Sequence, residues 1–197
     1  MRPINFTNKG LWTKFRNGDD EALTLIYSEN SPRLYLYGLK LTSNHSIVED
    51  VIQDLFSELI RTRKNLGDTD NIQFYLIKSF KRRLQRALLK EKRYTMKENV
   101  EDYIFEITYS VEQNIILEET SNQRISLIRK ALDDLTSRQE EAIYLKFNQE
   151  LEYDEIAEML EMSIEGCRNL IYRAIKSLKD SFHGDNSILL FFLHTLI

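Results

Sequence analysis

Ser46-Ile-Val-Glu49-Asp50-Val51-Ile52-Gln53-Asp54-Leu55-Phe56-Ser57-Glu58-Leu59-Ile60 decides the fold class. Its apolar residues come in pairs, Ile47 with Val48, Val51 with Ile52, Leu55 with Phe56 and Leu59 with Ile60. That spacing paints one face of a 3.6-residue helix and fits no strand. Ser46 and Glu49 stand at capping-box spacing, the hydroxyl accepting a first-turn amide proton and the carboxylate reaching back, which predicts a helix over 46–65. The opposite face carries Glu49, Asp50, Gln53, Asp54, Ser57 and Glu58, with no Lys or Arg among them.

The same period runs outward from this segment in both directions. It predicts helices over 10–17, 19–29, 31–42, 71–93, 120–134, 137–147, 152–160 and 164–181. Thr136-x-x-Gln139 repeats the capping-box device before one of them. Composition agrees: Gly 6 and Pro 2 in 197 residues is about a third of the roughly 12% that average usage supplies. Few turn residues mean few strands, so the expected fold is all-α. Hydrophobic residues make 42% and aromatics 11% of the chain, which excludes collagen-like and disordered classes. One cysteine excludes a disulfide framework and a cysteine-rich zinc site. Residues 1–12 are polar, without the apolar core of a secretory leader, and the longest apolar run, Ile188 to Leu193, is far short of the ~20 residues of a membrane span. The expectation is a cytoplasmic chain without membrane insertion.

Net charge is −4, but the charges are segregated. From Lys78 to Lys97 nine basic residues face a single acid, Glu91; from Glu98 to Glu119 there are seven acids and no base. One stretch attracts phosphate and the next repels it. The helical pattern weakens in the acidic stretch. The chain therefore reads as an N-terminal bundle over 1–95, an acidic linker over 96–119, a C-terminal bundle over 120–183 and an apolar tail over 184–197.

Enzyme chemistry finds little support. A helical carboxylate metal site needs Glu-x-x-His pairs, and no histidine here has a glutamate three residues before it. Cys167 shares a helical register with Ile164 and Ile171 and reads as a small buried hydrophobe. No glycine-rich phosphate loop is present. Neither a metal, a cofactor nor a catalytic residue is expected.

Two surfaces suit nucleic acid. Tyr153-Asp-Glu-Ile156-Ala157-Glu-Met-Leu160 reads as a short helix, Glu161-Met162-Ser163 as a turn with Ser163 as cap, and Ile164 onward as a second helix that buries Ile164, Cys167 and Ile171. The small Ala157 allows the two to cross closely. This is helix-turn-helix logic, with the second helix entering a major groove and Arg168, Asn169, Tyr172 and Arg173 facing outward toward base edges and phosphates. Further upstream, Lys78, Lys81, Arg82, Gln85 and Arg86 share one helical stripe while Leu76, Phe80, Leu84 and Leu88 share another. Phe74 and Tyr75, at the start of that helix, are placed where aromatics stack on unpaired bases.

These halves, in this order, resemble a bacterial sigma factor of the extracytoplasmic-function group. Leu23-x-x-Ile26-Tyr27 with Pro32-Arg33-Leu34-Tyr35-x-Tyr37 is similar to the start of that family's second region. Ile47 through Phe56 resembles its A-E-D-x-x-Q-E-x-F helix, and Tyr75-Leu76-Ile77-Lys78 the opening of its promoter-melting helix. Leu132-x-x-Leu135-Thr136-x-Arg138-Gln139 and Tyr153 through Leu178 resemble its fourth region.

The resemblance implies a non-catalytic subunit that binds core RNA polymerase and directs it to promoters. It implies docking on polymerase through Glu49, Asp50, Gln53 and Asp54, and contact with the melted downstream promoter element through Lys78, Lys81, Arg82 and Arg86. It also implies reading of the duplex upstream element by Arg168, Asn169, Tyr172 and Arg173, and regulation by an anti-sigma factor. The linker is expected to thread a basic polymerase channel, and the apolar tail to pack on the fourth region or a partner. The chain departs from the family pattern at Arg82 (commonly Asn), Arg86 (Asp or Asn), Gly166 (often Thr), Leu170 (often Arg) and Glu152 (a frequent Ser cap). The rival reading is a helix-turn-helix regulator that acts without core polymerase. Such proteins of the response-regulator type carry an α/β receiver, whereas residues 1–95 are helical in period throughout.

Overall fold

The computed structural model describes residues 8–94, with side chains as far as 91, residue 128 and residues 130–182. The acidic linker, most of the helix expected over 120–134 and the apolar tail lie outside the described residues. The chain divides into two units, Met1–Glu101 and Asp102–Ile197. The first holds α1 (Asn8–Arg16), α2 (Asp20–Leu41), α3 (His45–Thr62) with a 3₁₀ turn at Arg63–Asn65, and α4 (Ile72–Tyr94). The second holds helical residues 130–133, α5 (Ser137–Ile143) running into a π-turn at Tyr144–Asn148, α6 (Tyr153–Met159) and α7 (Ile164–Ser181). No strand occurs among the described residues.

Three expectations about helix bounds are corrected in the first unit. Residues 19–29 and 31–42 form one helix, α2, with Pro32 inside it. Pro32 cannot donate to the carbonyl of Ser28. Both residues are exposed, so the lost bond falls on the solvent side of α2 and the helix continues. On the buried side Asn30 Nδ2 donates to the carbonyl of Ile26 at 2.8 Å. The cap of α3 is Asn44 and not Ser46: Asn44 Oδ1 accepts the Ile47 N–H at 3.3 Å, and Asn44 Nδ2 donates to Glu91 of α4 at 3.1 Å. Asn and Ser cap about equally well, and the tertiary partner selects the earlier residue. The expected α3 end at 65 also retreats, since the last turn tightens to 3₁₀ from Arg63.

α3 packs between α2 and α4 with Val48, Val51, Ile52, Leu55, Phe56 and Leu59 buried. Ile60, expected inside, is 42% exposed. Across from it α4 buries Ile72, Leu76, Ile77, Phe80, Leu84 and Leu88, and α2 buries Ile26, Leu34 and Tyr37. The three helices meet at Gly38. A Cβ there would lie 2.7 Å from Val48 Cγ1 and 2.9 Å from Phe80 Cζ.

In the second unit Thr136 and Gln139 form the expected capping box before α5, with Gln139 Oε1 accepting the Thr136 N–H at 2.9 Å. The helix expected to 147 widens into the π-turn. Glu155 carboxylate accepts the Glu152 N–H at 2.8 Å before α6, so a cap forms there without the family's serine. After α6 the chain turns through Glu161 at φ 51°. Met162 N–H bonds back to Ala157 O at 3.0 Å and Glu161 N–H to Glu158 O at 3.4 Å, a Schellman closure in the backbone region that favours glycine. Arg138 Nη2 donates to the carbonyl of Leu160, fastening α5 to this turn. Ser163 Oγ then accepts the Gly166 N–H at 3.0 Å and starts α7. Ala157, Ile156, Cys167, Ile171, Ala174 and Leu178 close the core. Ile164, expected with them, is 45% exposed, because it begins α7 at the open side of the turn.

Gly38→Ala sets a helix-propensity gain of about 1 kcal/mol against an overpacking cost of about 1–3 kcal/mol. With both contacts under 3.0 Å, overpacking wins, and urea unfolding is expected to show a net loss of roughly 1–2 kcal/mol. Burial pushes the Cys167 thiol above its ordinary range, and the nearby Lys146 charge only partly offsets this. Its protonated form is therefore favoured by folding. That contribution is complete below the unfolded thiol's pKa and fades as pH rises through the folded value. Labelling of Cys167 by a thiol reagent is expected to be slow in the native chain at mildly alkaline pH and fast in urea. Equal rates would contradict the buried placement.

Candidate polymerase and nucleic-acid interfaces

α3 presents Glu49, Asp50, Gln53, Asp54 and Ser57 to solvent, as the amphipathic pattern requires. Glu58, at the edge of this face, is half-buried and bonded to Arg61 three residues on, and that guanidinium holds its carboxyl below the usual carboxylate range. The stripe of Gln53 and Ser57 continues into the exposed Ile60. Tyr27 of α2 is 45% exposed and meets Phe56 edge-on at 4.8 Å between ring centroids. Ile60, which periodicity assigned to the core, thus stands exposed at the end of the acidic face.

α4 carries the cationic stripe. Arg82 and Arg86 are exposed, whereas Lys78 and Lys81 are half-buried along their stems. Phe74 and Tyr75, expected as free stacking platforms, are both half-buried. Tyr75 packs on Trp12 at 5.1 Å, and Lys78 Nζ sits 5.6 Å from the Phe74 ring centre. The loop ahead of α4 is fastened to α1. Trp12 Nε1 donates to Gly67 O at 2.8 Å, Arg16 pairs with Asp68, and Asn71 Oδ1 caps α4 at Phe74 N–H, 3.0 Å. Sequence reading gave Trp12 and Arg16 no role, since their partners lie more than fifty residues away.

In the second unit α6, the turn and α7 form the helix-turn-helix. Arg168, Asn169, Tyr172 and Arg173 are all exposed, Tyr172 to 67%, while Cys167 and Ile171 point into the core. Ile164 stands one turn before Arg168 and is exposed with it. Tyr153, at the start of α6, lies under two cations: Lys146 Nζ at 4.9 Å and the Arg168 guanidinium carbon at 5.6 Å from its ring centre.

These arrangements are suited to binding. Among the described residues no cluster of three His, Cys, Asp or Glu is placed to hold a metal ion, and no helix is long and apolar enough to cross a membrane.

The fold and its sequence match known proteins. Residues 26–94 match the Sigma-70 region 2 family and residues 125–178 the Sigma-70, region 4 family. No curated protein sequence matches the chain significantly. Among solved structures, the sigma factor RpoE in complex with the anti-sigma factor NepR from Bartonella quintana is similar at 20% identity and TM-score 0.57, covering 84% of this chain and 97% of that one. CnrH in complex with the cytosolic domain of CnrY is similar at 14% identity and TM-score 0.57, covering 91% of this chain and 99% of that one. With region 2 and region 4 following each other over well over half of its length, the chain belongs to the sigma-70 family and is a sigma factor that directs transcription initiation.

Proposed function

We propose that the first unit docks on core RNA polymerase through Glu49, Asp50, Gln53 and Asp54. Exposure of a base-free acidic face on α3 carries this reading: neighbouring carboxylates repel one another, and a basic partner relieves that repulsion. Ile60 and Tyr27 supply the apolar contact that a charged rim alone lacks. In the same unit Lys78, Lys81, Arg82 and Arg86 line the path of the melted downstream strand. Arg82 is exposed and only donates hydrogen bonds, so it favours acceptor-rich base edges such as guanine. In the second unit Arg168, Asn169, Tyr172 and Arg173 read the duplex upstream element.

The chain acts without catalysis of its own, in the cytoplasm where polymerase and promoter are found. An acidic protein that relies on polymerase for much of its DNA affinity does not need a basic total charge. RpoE and CnrH are seen with the protein partners NepR and CnrY, and an anti-sigma factor is proposed here on that likeness. The overall test is transcription of genomic fragments by core polymerase with and without this chain. Initiation that never depends on it, with DNA binding intact, would favour a polymerase-independent regulator.

Replacing both Asp50 and Asp54 by Lys is expected to abolish co-purification with core polymerase at unchanged helicity; retained binding would remove the α3 face from the interface. Arg168→Ala is expected to cost about 1–3 kcal/mol on promoters with an upstream element and nothing on promoters lacking one. A uniform, salt-sensitive loss would mark a phosphate contact instead. Arg82→Asn is expected to shift base preference in a library randomised at the downstream element, while Arg86→Ala weakens opening on every sequence. An unchanged profile for Arg82→Asn would reduce Arg82 to a phosphate clamp or a bystander.

A further inference from the structure

Arg168, assigned above to base reading, makes no hydrogen bond or ion pair among the described residues; its contact is the Tyr153 ring at 5.6 Å. The ring is itself well placed. It belongs to the first residue of α6, whose start is held by the Glu155 carboxylate on the Glu152 N–H at 2.8 Å. Lys146 Nζ, 4.9 Å from the same ring, is tied to Leu151 O at 2.9 Å and to the Glu152 carboxylate at 3.5 Å. The ring therefore sits half-buried at a capped helix start beside a tethered cation, while Arg168 is a long, exposed side chain projecting from the neighbouring helix.

We propose that Tyr153 is a positioning residue for Arg168, holding its guanidinium by a cation–π contact in the orientation that meets the upstream element. A free arginine must give up its rotamer freedom when it binds a base edge, and a stacked one has given up part of it beforehand. The ring also limits the guanidinium plane to a few attitudes, which sharpens discrimination more than affinity. The aromatic face does this work; the hydroxyl is not needed. The proposal rests on the assignment of Arg168 to base reading, and its test separates the two.

The experiment uses the full chain with core polymerase and compares open-complex formation on a promoter with an intact upstream element against one with that element scrambled. An exposed cation–π contact corresponds to about a two- to fivefold effect. Tyr153→Leu is expected to lower the discrimination ratio by about that factor, and Tyr153→Phe to leave it unchanged. In an Arg168→Ala background, Tyr153→Leu is expected to have no further effect. Equal loss in both backgrounds would show that Tyr153 acts independently of Arg168 and would overturn the positioning role alone. Tyr153→Phe failing as Leu does would transfer the role to the hydroxyl and overturn it too. An Arg168→Ala chain with undiminished discrimination would overturn base reading and positioning together. A readout without DNA is the Arg168 Nε–H resonance of the full chain. It is expected to carry a ring-current shift in the wild type and in Tyr153→Phe that Tyr153→Leu abolishes; a resonance unmoved by Leu would overturn the stacking.

Discussion

α2 can lie against α3 and α4 only because position 38 carries no side chain. With Val48 Cγ1 and Phe80 Cζ both under 3.0 Å from where a Cβ would sit, the crossing leaves no room for even a methyl group. The close approach seats Tyr37 and Phe80 in one core at 6.4 Å between ring centroids. α3 turns Val48, Val51 and Leu55 into that core and Asp50, Gln53 and Asp54 outward, and α4 leaves Arg82 and Arg86 exposed.

The second unit solves a similar problem by different means. Two helices must meet across a short turn, and the small, buried Ala157 lets them approach. The turn accepts Glu161 in a left-handed conformation, a position where glycine costs less. Two Schellman bonds and the Arg138 contact to Leu160 offset that strain. α7 then leaves the turn with Ser163 as cap and its polar face outward. The consequence is a helix whose start is fixed on both sides of the turn, with Arg168 and its neighbours exposed along it.

Charge in this protein is arranged by position along the chain and not by total amount. An acidic helix face, a cationic helix stripe and an exposed helix face with two arginines occupy separate elements, the division of surfaces that the proposed protein and DNA contacts call for. A net charge of −4 conceals this division. The apolar ends of the acidic face, Tyr27 and Ile60, point the same way: protein interfaces combine an apolar centre with a charged surround.

Helical class, the Thr136 and Ser163 caps and the polar faces were legible in the sequence, because they rest on local rules: the 3.6-residue period and side chains that cap amides three residues away. Asp50, Asp54, Arg168 and Arg173 are exposed for the reason their spacing implied. What local rules could not settle were choices between equals. Asn44 and Ser46 are comparable caps, and only Glu91, forty-seven residues on, selects the first. Pro32 is a helix breaker by local rule, yet it stands on the exposed side of α2 and the helix continues through it. Ile60 and Ile164 have core spacing but stand near the ends of their helices and are exposed, so period alone does not place them. The meeting of Lys146, Tyr153 and Arg168 on one ring, and of Trp12 with Gly67, depends on the chain turning back on itself. Periodicity describes a helix from within; only the neighbouring helix decides which of its side chains have something to touch.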